Sequence, residues 1–175
     1  MRLISFVKRL LGNATYDNPN YPKGMNSTID PLTDLVVIGK GFISAPGSII
    51  LAHDASTITH TGKTRIEKTI IGDNVFVGAN AVVLAGSNIG DGCIIGAGAI
   101  VSKNIPPYSV VAGNPGKVIM KVDDYIKKCE SRDVLYDLPK SVQEKHGKGI
   151  RYTKVELLEM NKSIYDQYSK RKHKD

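Results

Sequence analysis

TIIGDNVFVGANAVVLAGSNIGDGCIIGAGAIVSKNIPPYSVVAGNPGKVI, residues 69–119, decides the fold of this chain. Branched apolar residues recur in it every six positions, at Ile71, Val77, Val83, Ile89, Ile95 and Val101. Four positions after each of the first five stands a smaller residue: Val75, Ala81, Ser87, Cys93 and Ala99. Gly72, Gly78, Gly90 and Gly96 each follow a large residue directly. An amphipathic helix repeats near 3.6 and a strand at 2, so a period of six fits neither. It fits a solenoid of very short strands with a turn at each corner. The large residue points into a narrow prism and stacks on its equivalents above and below. The small one shares that interior, and the glycine lets the backbone bend at the corner. With three faces, a coil takes about eighteen residues. Ile71 then stacks with Ile89 and Val77 with Ile95, in parallel strands about 4.8 Å apart.

Outward from this stretch, composition sets bounds. The chain has 175 residues, enough for one domain with small appendages, and its 41% hydrophobic and 23% charged residues are ordinary for a globular protein. Aromatics make up 6% and Trp is absent, as a core too narrow for large rings requires. The net charge of +7 is uneven: from Lys117 onward there are 15 Lys and Arg against 10 acids. No nucleic-acid-binding module accompanies that charge, so a solvated basic tail is the reading and nucleic acid is not an expected partner. Cys93 and Cys129 have neither disulfide-framework nor zinc spacing. The opening MRLISFVKRLLG is interrupted by Lys8 and Arg9 and lacks a cleavage site, so a cytoplasmic location is expected.

Leu3, Phe6, Val7, Leu10 and Leu11 have the spacing of one helical face, and their basic flank allows weak contact with a membrane surface. With the polar, Pro- and Asn-containing run after it, this helix makes an N-terminal arm over residues 1–34. The solenoid is expected over 35–121, with Val37, Ile43 and Ile49 in its first coil pointing inward. From Ile49 to Ile71 is 22 residues, four more than a full coil, so the rhythm breaks there. The polar segment near 52–68 holds His53, Asp54 and His60 and is a natural place for chemistry on a rigid scaffold. Pro106 and Pro107 close the repeat. A helical extension follows over 122–175, its last helix starting at Thr153 and Glu156 in capping-box spacing and carrying Leu157, Leu158, Ile164, Tyr165 and Tyr168 on one side.

The run from Ile71 to Ile119, with its terminal AGNPGKVI, resembles the hexapeptide-repeat acyltransferases, and among them the bacterial O-acetyltransferases of galactosides, maltose and surface polysaccharides. The resemblance covers about half the chain. It implies a mainly β fold, a left-handed parallel β-helix of about four to five coils, assembled as a homotrimer with sites between subunits. It implies an acetyl group moved from acetyl-CoA to a hydroxyl of a glycosyl acceptor, with His53 as the base. That role is chemically sound: a sugar hydroxyl attacks well only as its proton is removed, and an imidazole with an ordinary pKa near 6.5 can remove it at neutral pH. A backbone N–H would stabilise the oxyanion, and no metal is needed. Asp54 is a candidate to orient the imidazole or bind the acceptor; His60 reads as a loop residue. The positions matching the coenzyme contacts of the family are Ala79 and Ala97, one coil apart, then Ser102, Lys103 and Lys117.

The same fold leaves alternatives. Amino-sugar N-acetylation uses the same scaffold, and a non-catalytic β-helix would be a scaffold or binding surface. A carbonic-anhydrase-type metal enzyme needs three converging histidines, whereas only His53 and His60 lie in the repeat region, His146 and His173 falling in the tail.

Overall fold

The computed structural model describes residues 27–30, 32–145 and 152–172. The helix expected from Leu3 to Leu11 lies outside them. Strands of mostly two or three residues follow one another around three faces. Face A holds β1 (Thr28–Ile29), β4 (Ile49–Ile50), β9 (Val82–Val83) and β12 (Ile100–Val101). Face B holds β2 (Val36–Ile38), β7 (Thr69–Ile71), β10 (Asn88–Ile89) and β13 (Asn104–Ile105). Face C holds β3 (Ile43–Ser44), β8 (Phe76–Val77), β11 (Ile94–Ile95) and β14 (Ser109–Ala112), with β15 (Lys117–Lys121) returning antiparallel on β14. All other pairs on these faces are parallel, and in the regular part Ile70 meets Asn88, Phe76 meets Ile94 and Val82 meets Ile100, eighteen residues apart in each case.

The six large residues from Ile71 to Val101 and the five small ones from Val75 to Ala99 are all buried. A one-residue corner glycine explains how successive coils approach so closely. A Cβ at Gly78 would lie 2.5 Å from the Ala97 amide nitrogen, so no larger residue fits there. At the corner between faces B and C, side chains stitch the coils together. Asp73 Oδ1 accepts from the Lys40 amide at 2.7 Å, and Asp91 Oδ1 accepts from the Asp73 amide at 2.8 Å.

The first coil departs from expectation. Val37, Ile43 and Ile49 face outward, with Val37 42% exposed, while Val36, Phe42, Ser44, Ser48 and Ile50 face inward. Ile38 pairs with Ile71, Ser44 with Val77 and Ile50 with Val83, each 33 apart, so the insertion is fifteen residues beyond a coil rather than four. Side chains alternate along a strand, so a one-residue slip turns every one to the other face. Here the large and small positions are exchanged: Phe42 lies where Val75 does one coil on, and Ser44 where Val77 does. Hydrophobicity alone therefore pointed to Ile43. The stack also begins earlier than Leu35, because β1 pairs with β4 through Thr28–Ile49 and Ile29–Ile50.

The insertion leaves face A after Leu51 and returns on face B at Thr69. Its stem is the antiparallel pair β5 (His53–Asp54) and β6 (Arg65–Ile66). A 3-10 turn at Ala55–Thr57 and the one-turn helix α1 (Ile58–Thr61) form its tip. Beyond β15, α2 (Val122–Ser131) packs on β14 and β15, and an extended segment leads to α3 (Lys140–Gln143) and α4 (Lys154–Lys172). Thr153 and Glu156 bond reciprocally at the start of α4, where Leu158 and Tyr165 lie on its exposed side. Gln167 and Arg171 tie α4 to the backbone of Asp133, Leu135 and Asp137.

Candidate active site

His53 stands at the corner between faces A and B, where the chain turns out of the stack into the insertion. Asp30, one coil below at the same corner, meets it: Asp30 Oδ2 is 2.6 Å from His53 Nδ1. The same oxygen accepts the amides of Ala52 at 2.8 Å and His53 at 3.0 Å, and Oδ1 accepts the Leu32 amide at 2.8 Å. The Asp30 side chain is fully buried, whereas that of His53 is 33% exposed. Burial alone would raise the Asp30 carboxyl, but the Ala52 and Leu32 amides and His53 outweigh it and hold it below the ordinary carboxylate value. It is therefore an anion at neutral pH, able only to accept. Nδ1 must then carry the proton, and Nε2 keeps its lone pair free to take one.

Asp54 has a different place. Its Oδ1 accepts the Ser56 amide at 2.8 Å and caps the 3-10 turn, a bond that lowers its own carboxyl value. Asp30, not Asp54, makes the hydrogen bond to the imidazole, because neighbours on a strand point to opposite sides. His60 is exposed on α1. Asp30 was legible only as part of the arm. The signal available was Ile29, an apolar residue seven before Val36, followed directly by an acid.

The coenzyme candidates fall on two corners. Ala79 and Ala97 lie between faces C and A, stacked so that the Ala79 carbonyl accepts the Gly98 amide at 2.9 Å. Neither the Ala79 nor the Ala97 amide donates to a backbone carbonyl among the described residues. Ser102 and Lys103 are exposed at the corner between A and B, the edge that also carries His53. Lys117 is exposed on β15, next to Gly116, whose amide donates to the Ile100 carbonyl on face A. Within one chain, His53 and the Ala79–Ala97 pair thus sit at opposite edges of face A. Among the described residues no group of three or more His, Cys, Asp or Glu side chains is arranged to hold a metal.

Residues 68–103 match the bacterial transferase hexapeptide (six repeats) family. Over these residues the chain is similar to the bacterial hexapeptide-repeat transferases. Among curated relatives, a 2,3,4,5-tetrahydropyridine-2,6-dicarboxylate N-acetyltransferase of Lacticaseibacillus casei is 57% identical over 67 residues, covering 38% of this chain and 27% of that protein. A serine acetyltransferase of Buchnera aphidicola subsp. Schizaphis graminum is 41% identical over 90 residues, 50% of this chain and 33% of that one. The chain thus spans about a quarter to a third of the length of the curated relatives it matches. Among solved structures, a maltose O-acetyltransferase from Clostridium difficile 630 is 23% identical, with a TM-score of 0.49, over 69% of this chain and 85% of that one.

Proposed function

We propose that this chain is a hexapeptide-repeat transferase, an acetyl-CoA-dependent O-acetyltransferase acting on a hydroxyl of a sugar or surface polysaccharide. The observation that carries the reading is the buried Asp30 carboxylate on His53 Nδ1 at 2.6 Å. As the acceptor oxygen attacks the thioester carbonyl, Nε2 of His53 takes the hydroxyl proton, and Asp30 stabilises the imidazolium. The C–S bond then breaks, Nε2 returns the proton to the departing thiolate, and an acetyl ester and CoA thiol result. An oriented base matters most for an acceptor that cannot attack without losing its proton. A free amine is nucleophilic enough to attack before it loses a proton, so the dyad favours a hydroxyl over an amino group.

The active fold is a left-handed parallel β-helix in a homotrimer, with each site shared between two subunits. Support comes from the corners. The His53, Ser102 and Lys103 edge and the Ala79–Ala97 edge flank face A on opposite sides, so one coenzyme touching both sets must lie between two copies. Faces A and C also turn apolar residues outward, Ile49, Val82 and Ile100 on one and Ile43, Phe76 and Ile94 on the other. Small residues at Ala79 and Ala97 let a pantetheine arm approach the backbone, and the Lys103 and Lys117 ammonium groups suit its phosphates. A cytoplasmic location accords with two free thiols, Cys93 and Cys129.

Thiol release from acetyl-CoA, measured across a panel of glycosyl acceptors, tests this. Wild-type protein releases thiol only with a hydroxyl acceptor, and His53→Ala loses roughly 10²–10⁴-fold, the usual worth of a general base. Release with amino sugars alone would move the reading to N-acetylation, as the names of the curated relatives allow. Equal activity in His53→Ala would leave a scaffold without this catalytic site.

A further inference from the structure

Face B differs from its neighbours. Its outward positions are Val37, Ile70, Asn88 and Asn104, so its upper half presents two exposed asparagines, paired in register on β10 and β13. It runs from the corner that holds His53 to the corner with face C, and at the top of that second corner stands Tyr108. The left-handed position of this corner is filled in successive coils by Gly41, Asn74, Gly92 and Tyr108, with φ of 68°, 54°, 64° and 54°. Glycine and asparagine adopt that conformation readily, and a bulky ring there is an outlier. Such strain tends to persist where the residue serves a function.

Tyr108 is also rigidly presented. Its amide donates to the Asp91 carbonyl at 2.8 Å and its carbonyl accepts the Val122 amide at 3.0 Å. Its ring lies against Gly92, where even a Cβ would come within 2.6 Å of it, yet the residue is 60% exposed. Beside it opens a depression of about 400 Å³ lined by Pro107, Tyr108, Lys121 and Asp123.

We propose that face B, from His53 to Tyr108, is the track for an extended oligosaccharide acceptor. One pyranose lays its C–H face on the Tyr108 ring, and its hydroxyls meet Lys121 and Asp123. Units nearer His53 bond the Asn88 and Asn104 amides. An aromatic face flanked by a donor cation and an acceptor carboxylate is complementary to a sugar, apolar on one face and hydroxylated at its rim. The coenzyme is a poor occupant here. Asp123 and Asp124 open α2 beside the ring and would repel its phosphates, and the Ala79–Ala97 corner lies across face C. The track spans two strand spacings of about 4.8 Å, from β7 to β13, besides the width of the face, so it fits a chain of several sugars rather than one. The role of His53 at its lower end rests on the acetyl-transfer reading; the binding surface does not.

The test uses Tyr108→Asn, since asparagine holds a positive φ at Asn74 and Asn80. Binding of glucan, galactan, mannan and N-acetylglucosamine hexasaccharides to the full chain, without acetyl-CoA, is followed by saturation-transfer NMR. At least one hexasaccharide binds wild-type protein, and Tyr108→Asn weakens it about ten-fold or more while the melting temperature does not fall. Asn88→Ala with Asn104→Ala weakens it further. In turnover, kcat/KM for the hexasaccharide drops in Tyr108→Asn while KM for acetyl-CoA and kcat/KM for the monosaccharide hold. Binding of no hexasaccharide, binding indifferent to Tyr108, or a raised KM for acetyl-CoA in Tyr108→Asn each overturns the track. Tyr108-dependent binding in a protein that acetylates no sugar keeps the track and sinks the acetyl-transfer reading instead.

Discussion

Replacing Asp30 by asparagine separates two ways in which the carboxylate could matter, charge and tautomer. Oδ2 serves three donors, the Ala52 amide, the His53 amide and His53 Nδ1, whereas Oδ1 serves only the Leu32 amide. An asparagine amide has one oxygen and one NH2. With its oxygen in the Oδ2 place it keeps three bonds and loses one, at the half-exposed Leu32. The opposite orientation would set the NH2 against three donors, so it is disfavoured. Nδ1 therefore stays protonated in Asp30→Asn, and what disappears is the negative charge behind the imidazolium. A charge-assisted bond is worth about 1–2 kcal/mol more than a neutral one, which corresponds to a loss of roughly 5–30-fold in kcat. A wrong tautomer would cost far more, about 10⁴-fold in a serine-protease triad. Asp30→Ala lacks any acceptor, orphans the Ala52 and His53 amides at a buried position, and is expected to cost about 2–6 kcal/mol of stability as well as the imidazole's orientation. The assay is steady-state thiol release at saturating acetyl-CoA, with melting temperatures of all three proteins alongside. A kcat for Asp30→Asn equal to wild type, while His53→Ala is inactive, would refute the dyad. So would Asn and Ala variants that are equally impaired.

Acid stability carries further expectations. The Asp30 carboxyl lies below its unfolded value, so its contribution is complete above that value, near 3.9, and is lost as pH falls through the lower folded one; the melting temperature of Asp30→Asn should fall less than that of wild type over this window. Glu156 is held at about 2 by Lys145, then by the Thr153 amide and hydroxyl. Its contribution is likewise present above about 4.5 and lost toward 2, so far-UV dichroism at the low-pH end should converge for wild type and Glu156→Gln, and equal signals at neutral pH and at pH 2 alike would discount the Lys145 contact. Gly78→Ala should be much more destabilising than Gly98→Ala, because the first Cβ meets the Ala97 backbone at 2.5 Å while the second meets nothing within 4 Å and strains only a φ of 68°. Denaturant midpoints rank the two, and the reverse order would contradict the close stacking of coils at this corner.

What could be read from the chain follows the strength of its periodicity. From Ile71 to Val101 each inward position is marked twice, once by a large residue and once by a small one four places later, and every one is buried. In the first coil the marks conflict: Phe42 fills a small site, Ser44 a large one, and Ile43 and Ile49 look outward with branched side chains. A hydrophobic pattern read alone then slips by one residue and misjudges the length of the insertion. His53 was legible through the family resemblance, since a single histidine before a regular repeat has no local signature of its own. Asp30 was not, because its meaning depends on β1 lying under β4, a pairing of two residues with no periodicity to announce it.

The location of the dyad follows from how the solenoid is built. In a regular coil every inward side chain is committed to the core, and the corners at Gly72 and Gly78 bring successive backbones too close for a large group. At the corner between faces A and B, Asp30 and His53 meet one coil apart where the stack is interrupted. The fifteen extra residues after Leu51 carry His53 out of the stack above, and Asp30 directly follows β1 below. Asp30 stands where the coils above carry Leu51, Leu84 and Ser102, and takes up the amides of Ala52 and His53 at the start of the insertion. The bonds at the break in the ladder therefore also fix the imidazole, so the interruption in the repeat and the orientation of the proposed base are a single structural event.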